Sequence, residues 1–134
     1  MLTITAYHPT LWLMTAIAGL LLLQLLIADV SAMIAKHKPG HPIPTDNPTF
    51  LFRSARAHAN TNETIAAFIL LATVGILAQV SPGWLNGCAG VYMAGRVLHM
   101  VFYYAHQNLL RSTAFVVSLL GLIGMLGTVV RGLF

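Results

Sequence analysis

From Leu11 to Ala35 the chain carries a single charged side chain, Asp29, among residues that are otherwise almost all apolar or small. A membrane-spanning helix needs about 20 consecutive, mostly apolar residues, and this run exceeds that length. It does not read as a signal peptide. No basic residue precedes it, and it is longer than the roughly 7–15 apolar residues of a signal sequence's core. A chain that starts this way is expected to be an integral membrane protein. The rest of the sequence agrees: only 7% of its 134 residues are charged and 57% are hydrophobic. The net charge of +4 is too small and too dispersed to make a nucleic-acid surface. Cys88 is the only cysteine, so no disulfide forms within a subunit and no cysteine-based metal motif exists.

Punctuation divides the chain into four expected spans at about residues 11–36, 49–80, 84–106 and 109–132, one integral membrane domain. The segment "HKPGHPIPTDNP" (37–48), with four prolines and a glycine, is the one long loop. "SPG" (81–83) is expected to break the second helix. The later connections are only a few residues long, so sequential helices should be antiparallel neighbours. The expected fold is therefore an all-α transmembrane four-helix bundle. Lys36, Lys38, Arg53, Arg56 and Arg111 gather at one end, and only Arg131 lies near the other. The positive-inside rule then places the 1–2 and 3–4 loops in the cytoplasm and both termini outside. Short loops suggest a bacterial inner membrane as the location.

The polar groups are concentrated in "RSARAHANTNETI" (53–65). Arg53, Arg56, Asn60 and Glu63 recur at spacings of three and four, which puts them on one helix face. His58 and Asn62 lie off that line. Charged residues within a span face a bundle interior or a water-filled cavity. Two readings follow: a structural ion-pair network, or a polar pocket in which Arg56 takes a carboxylate and Glu63 an ammonium. On the third helix Arg96, His99 and Tyr103 share a face in the same way, with Tyr104 alongside. Arg96 lies near mid-span, and Glu63 is its expected partner. His37 and His41 in the loop have no third ligand beside them, so no metal site is expected there. The glycines of helices three and four (Gly87, Gly90, Gly95, Gly121, Gly124, Gly127) are expected to allow close helix contacts.

"RAHANTNETIAAF", followed by "GRVLHMVFYY" and then "LLRSTAF", resembles the MAPEG family, the membrane-associated proteins in eicosanoid and glutathione metabolism. The resemblance is closest to microsomal glutathione transferases and microsomal prostaglandin E synthase, and it covers roughly the second to fourth helices. It implies four-helix subunits assembled as a homotrimer, with glutathione bound between subunits near the cytosolic end. By position it implies that Arg56, His58, Asn60 and Glu63 of helix two bind glutathione, together with His99 and Tyr103 of helix three. Arg53, Arg96 and Tyr104 join them as candidates from the residue pattern. The resemblance also implies that Arg111 stabilises the glutathione thiolate and that Ser112 assists. Ala59 and Phe115 stand where the prostaglandin synthase has an arginine and a tyrosine, a departure that argues against prostaglandin synthesis, leaves the second substrate open and makes an oxidoreductive isomerisation the weaker option.

Chemistry points the same way. Glutathione carries two carboxylates and one ammonium, and Arg53, Arg56 and Glu63 match that balance. A cation beside a thiol lowers its pKa and raises its thiolate fraction. The expected activity is a glutathione transferase, with reduction of lipid hydroperoxides as a related outcome of the same thiolate, acting on a lipophilic small molecule from the bilayer. Two other classes compete with it: a non-catalytic membrane scaffold of the same fold, and a proton or ion transport subunit. Glutathione binding separates the enzyme from the transporter, and turnover separates it from the scaffold.

Overall fold

A computed structural model describes residues 4–45 and 49–134. Asp46, Asn47 and Pro48, the end of the proline-rich loop, lie outside the described residues. One 3-10 turn, Ile4–Tyr7, leads into four helices: α1, His8–Ile34; α2, Phe50–Leu77; α3, Pro82–Tyr104; and α4, Asn108–Leu133. They form the all-α four-helix bundle the spans imply. Helices α1, α2 and α4 are each long and apolar enough to cross a membrane. Helix α3 is more polar and turns Tyr92, Arg96, His99 and Tyr103 into the bundle. The outside of the bundle is apolar. Leu22, Leu26, Met33, Leu70 and Leu77 are all more than half exposed, as side chains facing lipid should be.

The helix ends differ from the sequence expectation for one recurring reason. Lys36, Gln79 and His106 take positive φ values of 52°, 53° and 58°, each two residues beyond the last helical residue. Each of these three helices, α1 to α3, closes with the same pair of backbone bonds. At α2 the Gln79 N–H donates to the Ile76 carbonyl and the Val80 N–H to the Gly75 carbonyl, both at 3.1 Å. The corresponding pairs run from Lys36 and His37 at α1 and from His106 and Gln107 at α3. This is the Schellman ending, which usually has glycine at the left-handed position. Thus α2 ends at Leu77, before the Ser-Pro-Gly stretch that was expected to break it. Pro82 instead opens α3, where its missing N–H costs nothing. At the other end of α2 the Thr49 hydroxyl caps the helix by accepting from the Phe52 N–H at 3.2 Å.

A side chain in the left-handed region costs roughly 1–2 kcal/mol. Gln79→Gly is therefore expected to stabilise the protein by about 1 kcal/mol, read as a higher midpoint of thermal unfolding in detergent. A lower midpoint would mean that the Gln79 side chain contributes more than its backbone costs.

Two features fix how the helices sit. Phe68 of α2 stacks on Tyr92 of α3 with ring centroids 4.6 Å apart, and the Tyr92 hydroxyl lies 3.0 Å from Thr64 Oγ1. Helices α3 and α4 touch backbone to backbone: a Cβ at Gly95 would sit 2.5 Å from the Ser118 nitrogen, and one at Gly121 would sit 2.5 Å from the Tyr92 nitrogen. Of the glycines expected at close contacts, Gly95, Gly121 and Gly124 fill that role within the subunit, whereas Gly87, Gly90 and Gly127 border open space. At the end away from the long loop, the Tyr7 hydroxyl donates to the Val80 carbonyl at 2.6 Å, and Asn86 Nδ2 donates to the Ala6 carbonyl at 2.9 Å. These bonds pin the start of α1 against the start of α3.

Candidate functional site

Three helices converge at the end of the bundle that carries the 1–2 loop and the 3–4 turn. Arg56 and Asn60 come from the first third of α2. His99 and Tyr103 come from the last turns of α3, and Arg111, Ser112, Phe115 and Val116 from the start of α4. Together they line an open cleft of about 330 Å³. The chain reversal between α3 and α4 is what brings Tyr103 and Arg111 together: the Arg111 guanidinium lies over the Tyr103 ring, 4.4 Å from its centroid. His99 packs edge-on against Tyr103 at 5.2 Å and near Phe115 at 6.1 Å. Asn60 Nδ2 donates to the Arg56 carbonyl at 3.0 Å, which leaves its amide oxygen available. Among the described residues, neither the Arg56 nor the Arg111 guanidinium is held by a hydrogen bond or an ion pair. The cleft therefore presents two cations, a phenol, an imidazole and an amide, and among the described residues no acid lines it. Such a donor set is chemically suited to holding an anion.

Not every sequence candidate enters this cleft. Arg96 is fully buried one turn below His99. Its Nε and Nη2 both donate to Ser118 Oγ, at 3.0 Å from Nε, and its Nη1 donates to the Asn60 carbonyl at 2.9 Å. Among the described residues the expected Glu63 makes no direct ion pair with it and acts only as a more distant opposite charge, while the contacts go to these neutral acceptors and to the faces of Phe115 and Tyr92, 5.1 and 5.8 Å from the guanidinium carbon. Glu63 itself is exposed on the outward side of α2. The face inferred from spacing lies along the cleft's open edge: Arg56 and Asn60 line the cleft, while Glu63, exposed like Arg56, lies outside its lining. Arg53 rests over the Phe50 ring at 5.7 Å, away from the cleft. His58 is half-buried and outside the lining, with no hydrogen bond to its buried Nδ1. Of the two adjacent tyrosines, Tyr103 faces the site. Tyr104 packs against Phe50 at 5.4 Å with its buried hydroxyl unbonded. Ser112 is in the lining, with its hydroxyl bonded back to the Asn108 carbonyl at 3.1 Å.

Sequence reasoning missed Ser118 and the functional place of Phe115. Both lie on the face of α4 that Arg111 begins, at spacings of four and seven. A hydroxyl in an apolar span, in register with an arginine, is a signal that could have found Ser118.

A second hollow lies at the same end, on the other side of α2. It is an apolar groove of about 630 Å³, lined by Leu26, Val30 and Ile34 of α1, Pro44 of the loop, and Phe50 and Leu51 of α2, among others. Within one chain it opens on the α1 side of α2, whereas the cleft opens toward α3 and α4.

No curated protein matches the sequence at a significant level. The family model does match, from residue 10 to residue 131, nearly the whole chain. With the four-helix membrane bundle and a cationic cleft built from the residues that carry the resemblance, the chain belongs to the MAPEG family.

Proposed function

We propose that this protein is a glutathione-dependent membrane enzyme that binds glutathione at the cytosolic end and uses its thiolate on lipophilic substrates. The observation that carries this reading is the cleft, in which, among the described residues, Arg56 and Arg111 stand free of any acid beside Asn60, His99 and Tyr103. The family includes glutathione-dependent members, and the donor set suits that ligand. Arg56 is placed to take a carboxylate as a bidentate pair. Arg111 is placed to hold the sulfur as thiolate. A thiol has an unperturbed pKa of about 8.5, so at neutral pH an adjacent guanidinium raises the reactive fraction. Tyr103 fixes the Arg111 guanidinium through the ring contact, and Ser112 lies one residue away at the cleft's edge. In conjugation the sulfur forms a bond to an electrophilic carbon as the leaving group departs. Reduction of a lipid hydroperoxide starts from the same thiolate.

The cleft's volume is near the lower end of the range for small-molecule sites, about 300–1,000 Å³, and one wall is open. Arg56, Asn62 and Glu63 face outward from a membrane helix, where lipid tails satisfy none of them. A homotrimer supplies the missing wall, brings Glu63 to the ligand's ammonium, and sets the apolar groove of one subunit near the cleft of the next. Lipophilic substrates would then enter from the bilayer while glutathione enters from the cytosol. The protein would lie in a bacterial inner membrane with its loops 1–2 and 3–4 in the cytoplasm.

Calorimetric titration with glutathione tests the proposal. The wild-type protein is expected to bind it, and Arg56→Ala is expected to weaken binding by about 10-fold or more, the loss of one charge-assisted pair. Absence of binding by the wild type would overturn the proposal, and equal binding by Arg56→Ala would remove the assignment of Arg56.

A further inference from the structure

The chain has three acidic residues, Asp29, Asp46 and Glu63, and Asp29 has the least obvious place. It sits on the outward face of α1 in a row with Leu22, Leu25 and Met33, which are 62%, 42% and 70% exposed. Among the described residues its carboxylate makes no hydrogen bond or ion pair. Arg56 is its counterpart on α2: it is exposed, it shares an outward row with Glu63, Leu70 and Leu77, and its guanidinium is likewise unpaired.

The two charges stand at one level. Asp29 lies five residues before the end of α1 at Ile34, about 7.5 Å along the axis. Arg56 lies six residues after the start of α2 at Phe50, about 9 Å from the same end of the bundle. Among the described residues neither has a better-placed partner of opposite charge. Glu63 is seven residues from Arg56 on the same helix, about 10 Å further along it. Of the other cations at this end, Arg53 lies over Phe50 and Arg111 over Tyr103, while Lys36 and Lys38 lie beyond the end of α1. Within one chain, Asp29 and Arg56 point outward from different helices.

We propose that Asp29 bridges subunits: its carboxylate pairs with the Arg56 guanidinium of the next copy of this chain. The contact uses two different faces, so it repeats head to tail, and it closes into a ring when the rotation between successive copies divides a full turn. It rests on the reading that copies assemble around the cleft, and it adds a role for α1 in that assembly. A carboxylate on one edge of the guanidinium leaves the other edge to a ligand. It also reduces the repulsion between Arg56 and Arg111 across a cleft that holds no acid of its own.

The test uses the full chain in detergent, with assembly read by native mass spectrometry. Asp29→Arg is expected to shift most of the protein from oligomer to single chains, and Asp29→Arg combined with Arg56→Asp is expected to restore the oligomer. If the charge-reversed chains do not fold, milder substitutions decide the matter. With Cys88→Ser as background, Asp29→Cys together with Arg56→Cys is expected to give disulfide-linked subunits under mild oxidation, absent when Arg56 is retained. A wild-type chain that is a monomer overturns the proposal, as does an oligomer whose paired cysteines do not link. Calorimetry on the wild type keeps the two ideas apart. Glutathione binding without the cross-link sinks only the pairing, and a cross-link without glutathione binding sinks only the proposed function.

Discussion

Replacing Arg96 with alanine is expected to destabilise the folded bundle by about 3 kcal/mol or more, because hydrogen bonds from a charged group contribute roughly 1.5–3 kcal/mol each. The Arg96 guanidinium makes three such bonds and ties three helices together. It lies on α3, reaches Ser118 on α4 through two of its nitrogens, and reaches the Asn60 carbonyl on α2 with the third. Two aromatic faces cover it, which offsets part of the cost of holding a cation away from water. Arg96→Lys should recover little of the loss, since an ammonium on a flexible stem cannot span both acceptors as a planar fork does. Thermal unfolding in detergent checks this, with both variants expected to unfold well below the wild type. A variant at position 96 that kept the wild-type midpoint and lost glutathione binding would return Arg96 to the role of ligand contact.

The second large effect is on chemistry. Arg111→Ala is expected to lower the rate of conjugation at neutral pH by roughly 100-fold, the usual loss when one preorganised donor to a developing anion is removed. Glutathione binding should be affected far less, since Arg56 and Asn60 remain. The pH dependence gives a sharper signature. With Arg111 present, the bound thiol is expected to be ionised at neutral pH, so the rate should already be near its plateau at pH 7. Without it the thiol pKa returns toward about 8.5, and the rate should climb steeply between pH 7 and 9. Rates measured across that range with a model electrophile decide the point. A variant whose rate and pH profile matched the wild type would show that Arg111 does not touch the sulfur.

Much of this arrangement could be read from the residues alone. Apolar run lengths were enough for a membrane and for α1, α2 and α4, the breaks on either side were enough for α3, and the spacing of Arg56 with Asn60 and of His99 with Tyr103 was enough for the two halves of the cleft. Helix ends were less legible. The endings at Lys36, Gln79 and His106 depend on left-handed backbone at residues that do not announce it, where glycine would have. The pairing of Arg96 was not legible either. A helical projection gives the angle of a side chain about its own axis, but not the offset between neighbouring helices. That offset is set here by Gly95 against Ser118 and Gly121 against Tyr92. The close contact delivers a neutral hydroxyl to the Arg96 guanidinium, while Glu63 turns outward. The same offset decides between Tyr103 and Tyr104, which are adjacent in sequence and 100° apart around an ideal helix.

The central claim is that the Arg56–Arg111 cleft binds glutathione as its thiolate. Ultraviolet difference absorbance in the thiolate band, on purified protein titrated with glutathione at pH 7, tests it most directly. A saturable rise in thiolate absorbance that disappears in Arg111→Ala is the predicted result. No such rise in the wild type, with no heat of binding at the same concentrations, would contradict the claim and leave a family member that keeps the fold and the cleft without the chemistry.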